Sequence, residues 1–278
     1  MIIIAEKING SIPSVAKYIA ERNEEAIKDL AIRQAEQIGE NEGFIDVCSS
    51  VAPEVEFETM RWMLDLVQGV TDMPISVDSP NAECLLELLP YVKKPGLVNS
   101  VSGEGNKIDL IFPFLAKPEN KKWQVMALLS DDTGIPKTAD DRLRVFDKIM
   151  AKAKEYGIAP NRIHIDPLVE MLCTSEDGIA MVEEVMTKIR EQYPSIHISG
   201  AVSNISFNLP ARKLVNMAFV CLAIKAGMDS AVFDPLDKQL LGVIYATEAL
   251  LGMDDFCMEY IGAFRDERIA ATTKKKTT

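Results

Sequence analysis

Histidine is scarce in this chain, with two residues in 278, and the five cysteines include no Cys-x-x-Cys pair. His-Glu-x-x-His is absent too, so no zinc ligand set is expected. Neither Gly-x-Ser-x-Gly nor a P-loop occurs, which removes the acyl-transfer elbow and the phosphate cradle. No window approaches ~18 uninterrupted apolar residues, and Met1 to Glu6 is too short for a signal peptide, so no membrane span or export is expected. Positive charge is in deficit: 30 Lys and Arg stand against 42 Asp and Glu, a net charge of -12. The one concentrated basic run, Lys274 to Lys276, leaves a polyanion no basic field, so no nucleic-acid partner is expected. An odd number of thiols set in apolar stretches indicates reduced cysteine, which suits the cytoplasm.

What is present is a repeated alternation. Hydrophobic residues make up 47% of the chain, enough for a large core. Ile2 to Ala5, Phe44 to Cys48, Pro74 to Val77, Gly96 to Val98, Trp123 to Leu129, Arg162 to Ile165, Ile196 to Val202 and Ser230 to Phe233 have the pattern of buried parallel strands. Amphipathic helical stretches follow them, among them Glu24 to Glu40, Glu56 to Val70, Ala139 to Tyr156 and Leu214 to Ala226. Gly157 is placed for a left-handed helix cap. Eight strand-then-helix units predict a single (β/α)₈ TIM barrel over residues 1–266, with 267–278 as a frayed tail. A doubly wound sheet would announce a Gly-rich first turn, and Glu6-Lys7-Ile8-Asn9-Gly10 is not one.

In such a barrel the chemistry sits at the carboxyl ends of the strands. Glu6, Asp46, Asp78, Asn99, Asp131, Asp166, Asn204 and Asp234 end the eight strands and are expected to converge on one mouth. Taken singly, each is explained as a turn or cap residue. Together, so many acids and amides are costly to bury unless a ligand shares them, and a flat heterocycle with N–H, amino and carbonyl groups would do so. His164 and His197 fall inside strands, as barrel residues. Cys48 has no evident base nearby and reads as a packing residue.

Six short motifs recur here in one order: Glu6-Lys7-Ile8-Asn9-Gly10, Asp78-Ser79, Asn99-Ser100, Thr133-Gly134-Ile135-Pro136, Ile165-Asp166-Pro167-Leu168 and Ser203-Asn204-Ile205-Ser206. Together they resemble the methyltetrahydrofolate and corrinoid-protein methyltransferases of the pterin-binding family, which includes the folate module of cobalamin-dependent methionine synthase. The resemblance implies a TIM barrel, a homodimer, tetrahydrofolate or methyltetrahydrofolate as substrate, and a corrinoid (cobalamin) carried by a partner protein. It implies that Asp78, Asn99 and Asp166 hydrogen-bond the pterin and that Asn204 reaches N5 as the catalytic residue. Ser203, Glu6 and Arg212 are implied to bind folate, Arg212 toward the glutamate tail. Three places depart from the family pattern: Lys7 stands where arginine is common, Cys48 where asparagine is, and Gly200-Ala201-Val202 before Ser203 does not place its glycine where the usual Gly-Leu-Ser-Asn does.

The implied reaction moves a methyl group between N5 of tetrahydrofolate and cobalt. Within the family the wording is closer to the branch that takes methyl groups from methylated-amine corrinoid proteins. A corrinoid-binding Asp-x-His-x-x-Gly signature is absent, so the corrinoid is expected to arrive on another protein docked transiently over the mouth. Two alternatives stand beside this reading: a dihydropteroate synthase-like pterin enzyme, which would need a late-strand Lys-x-Arg that Asp229 to Asp234 lacks, and a folate-binding protein without catalysis.

Overall fold

In the computed structural model, which describes residues 1–269, eight strands form one parallel sheet: β1 (Ile2–Asn9), β2 (Gly43–Cys48), β3 (Ile75–Asp78), β4 (Leu97–Gly103), β5 (Gln124–Asp131), β6 (Ile163–Asp166), β7 (His197–Ile198) and β8 (Ser230–Phe233). Their order is β7-β6-β5-β4-β3-β2-β1-β8. The two outer strands meet: Asp229 N–H donates to Ile198 O at 3.1 Å and Val232 N–H to Gly200 O at 3.0 Å, with a parallel bridge between Ala201 and Val232. Sequential pairing plus this closure makes the (β/α)₈ barrel that the repeat predicts.

The helices are α1 (Pro13–Ala20), α2 (Glu24–Ile38), α3 (Pro53–Val70), α4 (Ala82–Leu88) and α5 (Lys107–Ala116), followed by α6 (Ala139–Glu155), α7 (Ala180–Gln192), α8 (Arg212–Lys225), α9 (Lys238–Leu250) and α10 (Met258–Arg265). Local chemistry sets their ends. Thr138 caps α6 by accepting from Asp141 N–H, with Asp140 and Asp141 in the first turn, and Gly157 takes φ +67° past its end. The sequence reading has no helix before Glu24. α1 is an addition, started by Pro13 and anchored by buried Val15 and Ile19.

Period-two alternation divides each strand between two environments. Ile3, Ala5, Ile45, Val47, Val77, Val98, Val125 and Ile165 face the helices and join one large core. Ile2, Ile4, Phe44, Leu97 and Met126 form a separate cluster with Leu128 and Val232, because the barrel wall stands between the two. Each fully buried aliphatic side chain contributes about 1.5–3 kcal/mol. The two histidines lie where expected, inside the barrel. His164 is fully buried between Gln124 Oε1 (2.5 Å) and Ser230 Oγ (2.9 Å), and its ring stacks on His197 with centroids 4.7 Å apart.

β7 is a correction. Alternation predicts a strand over Ile196 to Val202, but only His197–Ile198 stays in the ladder, and Val202–Ser206 winds a 3₁₀ turn. A Cβ at Gly200 would lie 3.1 Å from Val169 Cγ2, so the chain passes close to its neighbour before turning. At the other end, Gln37 Nε2 donates to Arg268 O at 2.6 Å and Ile269 is buried. The rest of the expected tail, 270–278, lies outside the described residues.

Candidate active site

In six of the strands the inward residues climb in steps of two toward the carboxyl end: Ile2, Ile4, Glu6; Phe44, Asp46; Ser76, Asp78; Leu97, Asn99; His164, Asp166; Ser230, Val232, Asp234. Apolar or neutral side chains occupy the lower steps and acids or an amide the last one. Asp131, expected at the mouth, turns instead toward the helices, its Oδ2 3.7 Å from Lys148 Nζ on α6. Its Oδ1 accepts from Thr133 N–H (3.0 Å) and Thr133 Oγ1 (2.6 Å), making it a turn residue.

Two groups gather at the mouth. In the first, buried Asp46 is the hub: its Oδ1 accepts from Ser76 Oγ at 2.6 Å and from Asn99 Nδ2 at 3.2 Å. Asp78, level with Asn99 on the neighbouring strand, is pushed well up by burial and by the Asp46 charge. Burial raises Asp46 as well, to about 6, against the pull of Ser76 and Asn99. Two carboxyls this close disfavour double ionisation, which is the direction of both shifts. Asn99 has then committed its amide nitrogen, and its Oδ1 is left to accept from a ligand. The Cys48 thiol, raised to about 12 by burial and by Asp78, bonds to Ser50 Oγ at 3.3 Å, in line with a packing residue.

The second group is Glu6, Lys7, Asp234 and Ser203. Lys7 Nζ lies 3.0 Å from Asp234 Oδ2. Burial, then Asp234 and Asp46, lift the Glu6 carboxyl from 4.5 to about 7 against the pull of Lys7 and the Ser203 hydroxyl. Gly10, which closes the first motif, has a steric reason to be there. A Cβ on it would sit 1.8 Å from the Ser49 carbonyl oxygen, so only glycine lets the loop after β1 close on the loop after β2.

Asp166 stands across the mouth at the end of β6. Its Oδ1 accepts from Leu168 N–H at 2.7 Å, and burial raises it to about 6 while that hydrogen bond and the Arg142 charge pull it down. Its Oδ2 has no hydrogen-bond partner among the described residues. Asn204 lies in the 3₁₀ turn next to Ser203; its side chain is exposed and likewise has no partner among the described residues. Arg212, at the start of α8, ties that turn: Nη2 donates to Ser203 O at 2.7 Å and Nε to Ser206 Oγ at 3.0 Å. A cleft of about 520 Å³ opens between the two loops, lined by Val169, Glu170, Met181 and Ile205.

The sequence places Asp46 at the mouth but gives it no partner, whereas in the fold it organises Ser76, Asp78 and Asn99. Strand parity was the available signal. Arg142 has none, being one of several cations on an amphipathic helix.

A closed α/β barrel with ionisable groups and unbonded acceptors at the carboxyl ends of its strands has the form of a TIM-barrel enzyme. The pterin binding enzyme family model matches residues 25–233, and the chain belongs to that family. A relative from Eubacterium limosum, methylcorrinoid:tetrahydrofolate methyltransferase, is 46% identical over 275 residues, covering 99% of this chain and 100% of that one. Among solved structures, dihydropteroate synthase from Xanthomonas albilineans in complex with 7,8-dihydropteroate superposes with a TM-score of 0.65, at 15% identity over 91% of this chain and 92% of that one. The Yersinia pestis dihydropteroate synthase with a pterine-sulfa conjugate gives 0.61 at 14% identity, over 91% and 94%. At those identities the two synthases share the fold alone.

Proposed function

We infer that this protein is a methyltransferase that passes a methyl group from a methylated corrinoid, carried by a partner protein, to N5 of tetrahydrofolate. The observation that carries this is the 46% identity to methylcorrinoid:tetrahydrofolate methyltransferase along almost the whole of both chains. The mouth has matching chemistry. A pterin presents N–H and amino donors on one edge, and Asp166 Oδ2 and Asn99 Oδ1 are acceptors with no hydrogen-bond partner among the described residues, while Asp78 adds a further carboxyl beside Asn99.

The corrinoid supplies an electrophilic methyl: the N5 lone pair forms the new N–C bond while the Co–C electron pair stays with cobalt. Everything else falls to side chains. Asp78, Asn99 and Asp166 hold the ring so that N5 faces outward. Asn204 accepts from N5–H through its amide oxygen, leaving the lone pair free, and this bond strengthens as N5 becomes positive. The N5 proton must then leave. Glu6, raised to about 7, is poised to receive it.

The partner docks over the mouth. Pairing of two copies belongs to another face: Leu250, Met253, Phe256, Met258 and Phe264 are exposed on the segment 250–264, with Phe256 at 94% exposure, and this is the surface for a homodimer. No helix among the described residues is long and apolar enough to cross a membrane. The enzyme works in the cytoplasm.

The test mixes the protein with a methylated corrinoid protein and tetrahydrofolate and follows cobalt absorbance together with methyltetrahydrofolate. A folate-dependent change is expected. No change, or condensation of a pterin diphosphate with aminobenzoate instead, would end the proposal.

A further inference from the structure

Arg142 is the largest fully buried side chain in the described residues, and it lies on α6, outside the ring of strand ends. A buried guanidinium is costly unless its donors are met, and here they are spent on the two loops beside Asp166. Nε donates to Pro136 O at 3.2 Å in the loop after β5. Nη1 donates to Pro167 O and, at 2.6 Å, to Leu168 O; Nη2 meets Glu170 Oε2 at 2.5 Å. Leu168 holds φ +66°, a left-handed conformation that a non-glycine residue keeps only when its surroundings enforce it. From that conformation its N–H reaches Asp166 Oδ1.

We propose that Arg142 is a positioning residue for folate: by clamping the carbonyls of Pro167 and Leu168 it sets the peptide whose N–H orients the Asp166 carboxylate into the mouth. This rests on the folate reading above and deepens it. The clamp never touches the ligand, and it also fixes Glu170, one wall of the cleft beside Asn204. Its charge acts on Asp166 as well. The charged groups around it are Glu170, Asp166 and Asp177, with Lys137 Nζ at 3.6 Å from Glu170.

Arg162 provides a matched control. It is a second guanidinium spent on carbonyls, those of Leu115, Asn120 and Trp123, at the amino end of β6 and far along the strand from Asp166. Tetrahydrofolate binding would be titrated from pH 5 to 8 for the wild type, Arg142→Lys, Arg142→Met, Glu170→Gln and Arg162→Lys, with melting curves for each. Arg142→Lys keeps the charge and loses the fork, so folate affinity falls about tenfold or more, KM rises with kcat retained, and the acid limb of binding stays in place. Arg142→Met also removes the charge, so the acid limb moves to higher pH. Arg162→Lys melts earlier and binds folate as the wild type does.

If Arg142→Met does not fold, Arg142→Lys and Glu170→Gln carry the test. Undiminished folate affinity in Arg142→Lys overturns the clamp, as does an equal loss in Arg162→Lys. A wild type that binds no tetrahydrofolate at any pH overturns the folate reading and the clamp with it, so the two failures are separable.

Discussion

Glu6→Gln should make the protein more stable at pH 8 while damaging its chemistry. Burial and the neighbouring Asp234 and Asp46 raise the Glu6 carboxyl from 4.5 to about 7. The folded state therefore holds this proton more tightly than the unfolded chain does. The contribution is fully present below 4.5 and is lost as pH rises through 7. At about 1.4 kcal/mol per unit, a shift of this size amounts to roughly 3 kcal/mol between the two limits, a ceiling because the mouth opens to water. Glutamine keeps the shape of the side chain and removes the charge. Urea unfolding at pH 5 and pH 8 would read the effect. The variant should match the wild type within about 1 kcal/mol at pH 5 and exceed it by up to about 3 kcal/mol at pH 8. A wild type as stable as Glu6→Gln at pH 8 would mean that Glu6 ionises freely, and its place as proton acceptor would go with it.

Gly10→Ala should cost at least about 1–3 kcal/mol and weaken tetrahydrofolate binding, because the added Cβ meets a backbone carbonyl that cannot move aside; melting and titration together check it, and unchanged binding would separate the first motif from the site. Cysteine reactivity should split by burial: at pH 8 the exposed Cys173 and Cys257 should react quickly with a thiol reagent, while Cys48, raised to about 12, stays silent until the protein unfolds. Fast labelling of Cys48, located by peptide mass mapping, would contradict the packing role.

The barrel was legible because its signal is repeated eight times, and an error in one unit leaves the count intact. β7 shows the limit. The run from Ile196 to Val202 alternates like a strand, yet closure against β8 needs only Gly200 and Ala201 near Val232, and the turn carrying Asn204 takes the rest. Asp131 shows another. A polar residue at a strand end faces the mouth or the helices according to parity, and one residue of register decides which. Glu6, Asp78, Asn99, Asp166, Ser203 and Asn204 could be named from short motifs. The coupling of Asp46 to Asp78 depends on two successive strands meeting in one register, and the Arg142 clamp depends on a helix reaching two loops. Neither leaves a local trace.

The most direct measurement is a single-turnover comparison of the wild type and Asn204→Ala, with methylated corrinoid protein in excess and tetrahydrofolate binding measured separately. The Asn204 side chain is exposed and has no hydrogen-bond partner among the described residues, so its truncation should slow methyl transfer by roughly 10²–10³ while folate affinity changes little. Transfer at the wild-type rate, or a loss explained wholly by weaker folate binding, would contradict the placement of N5 at this residue.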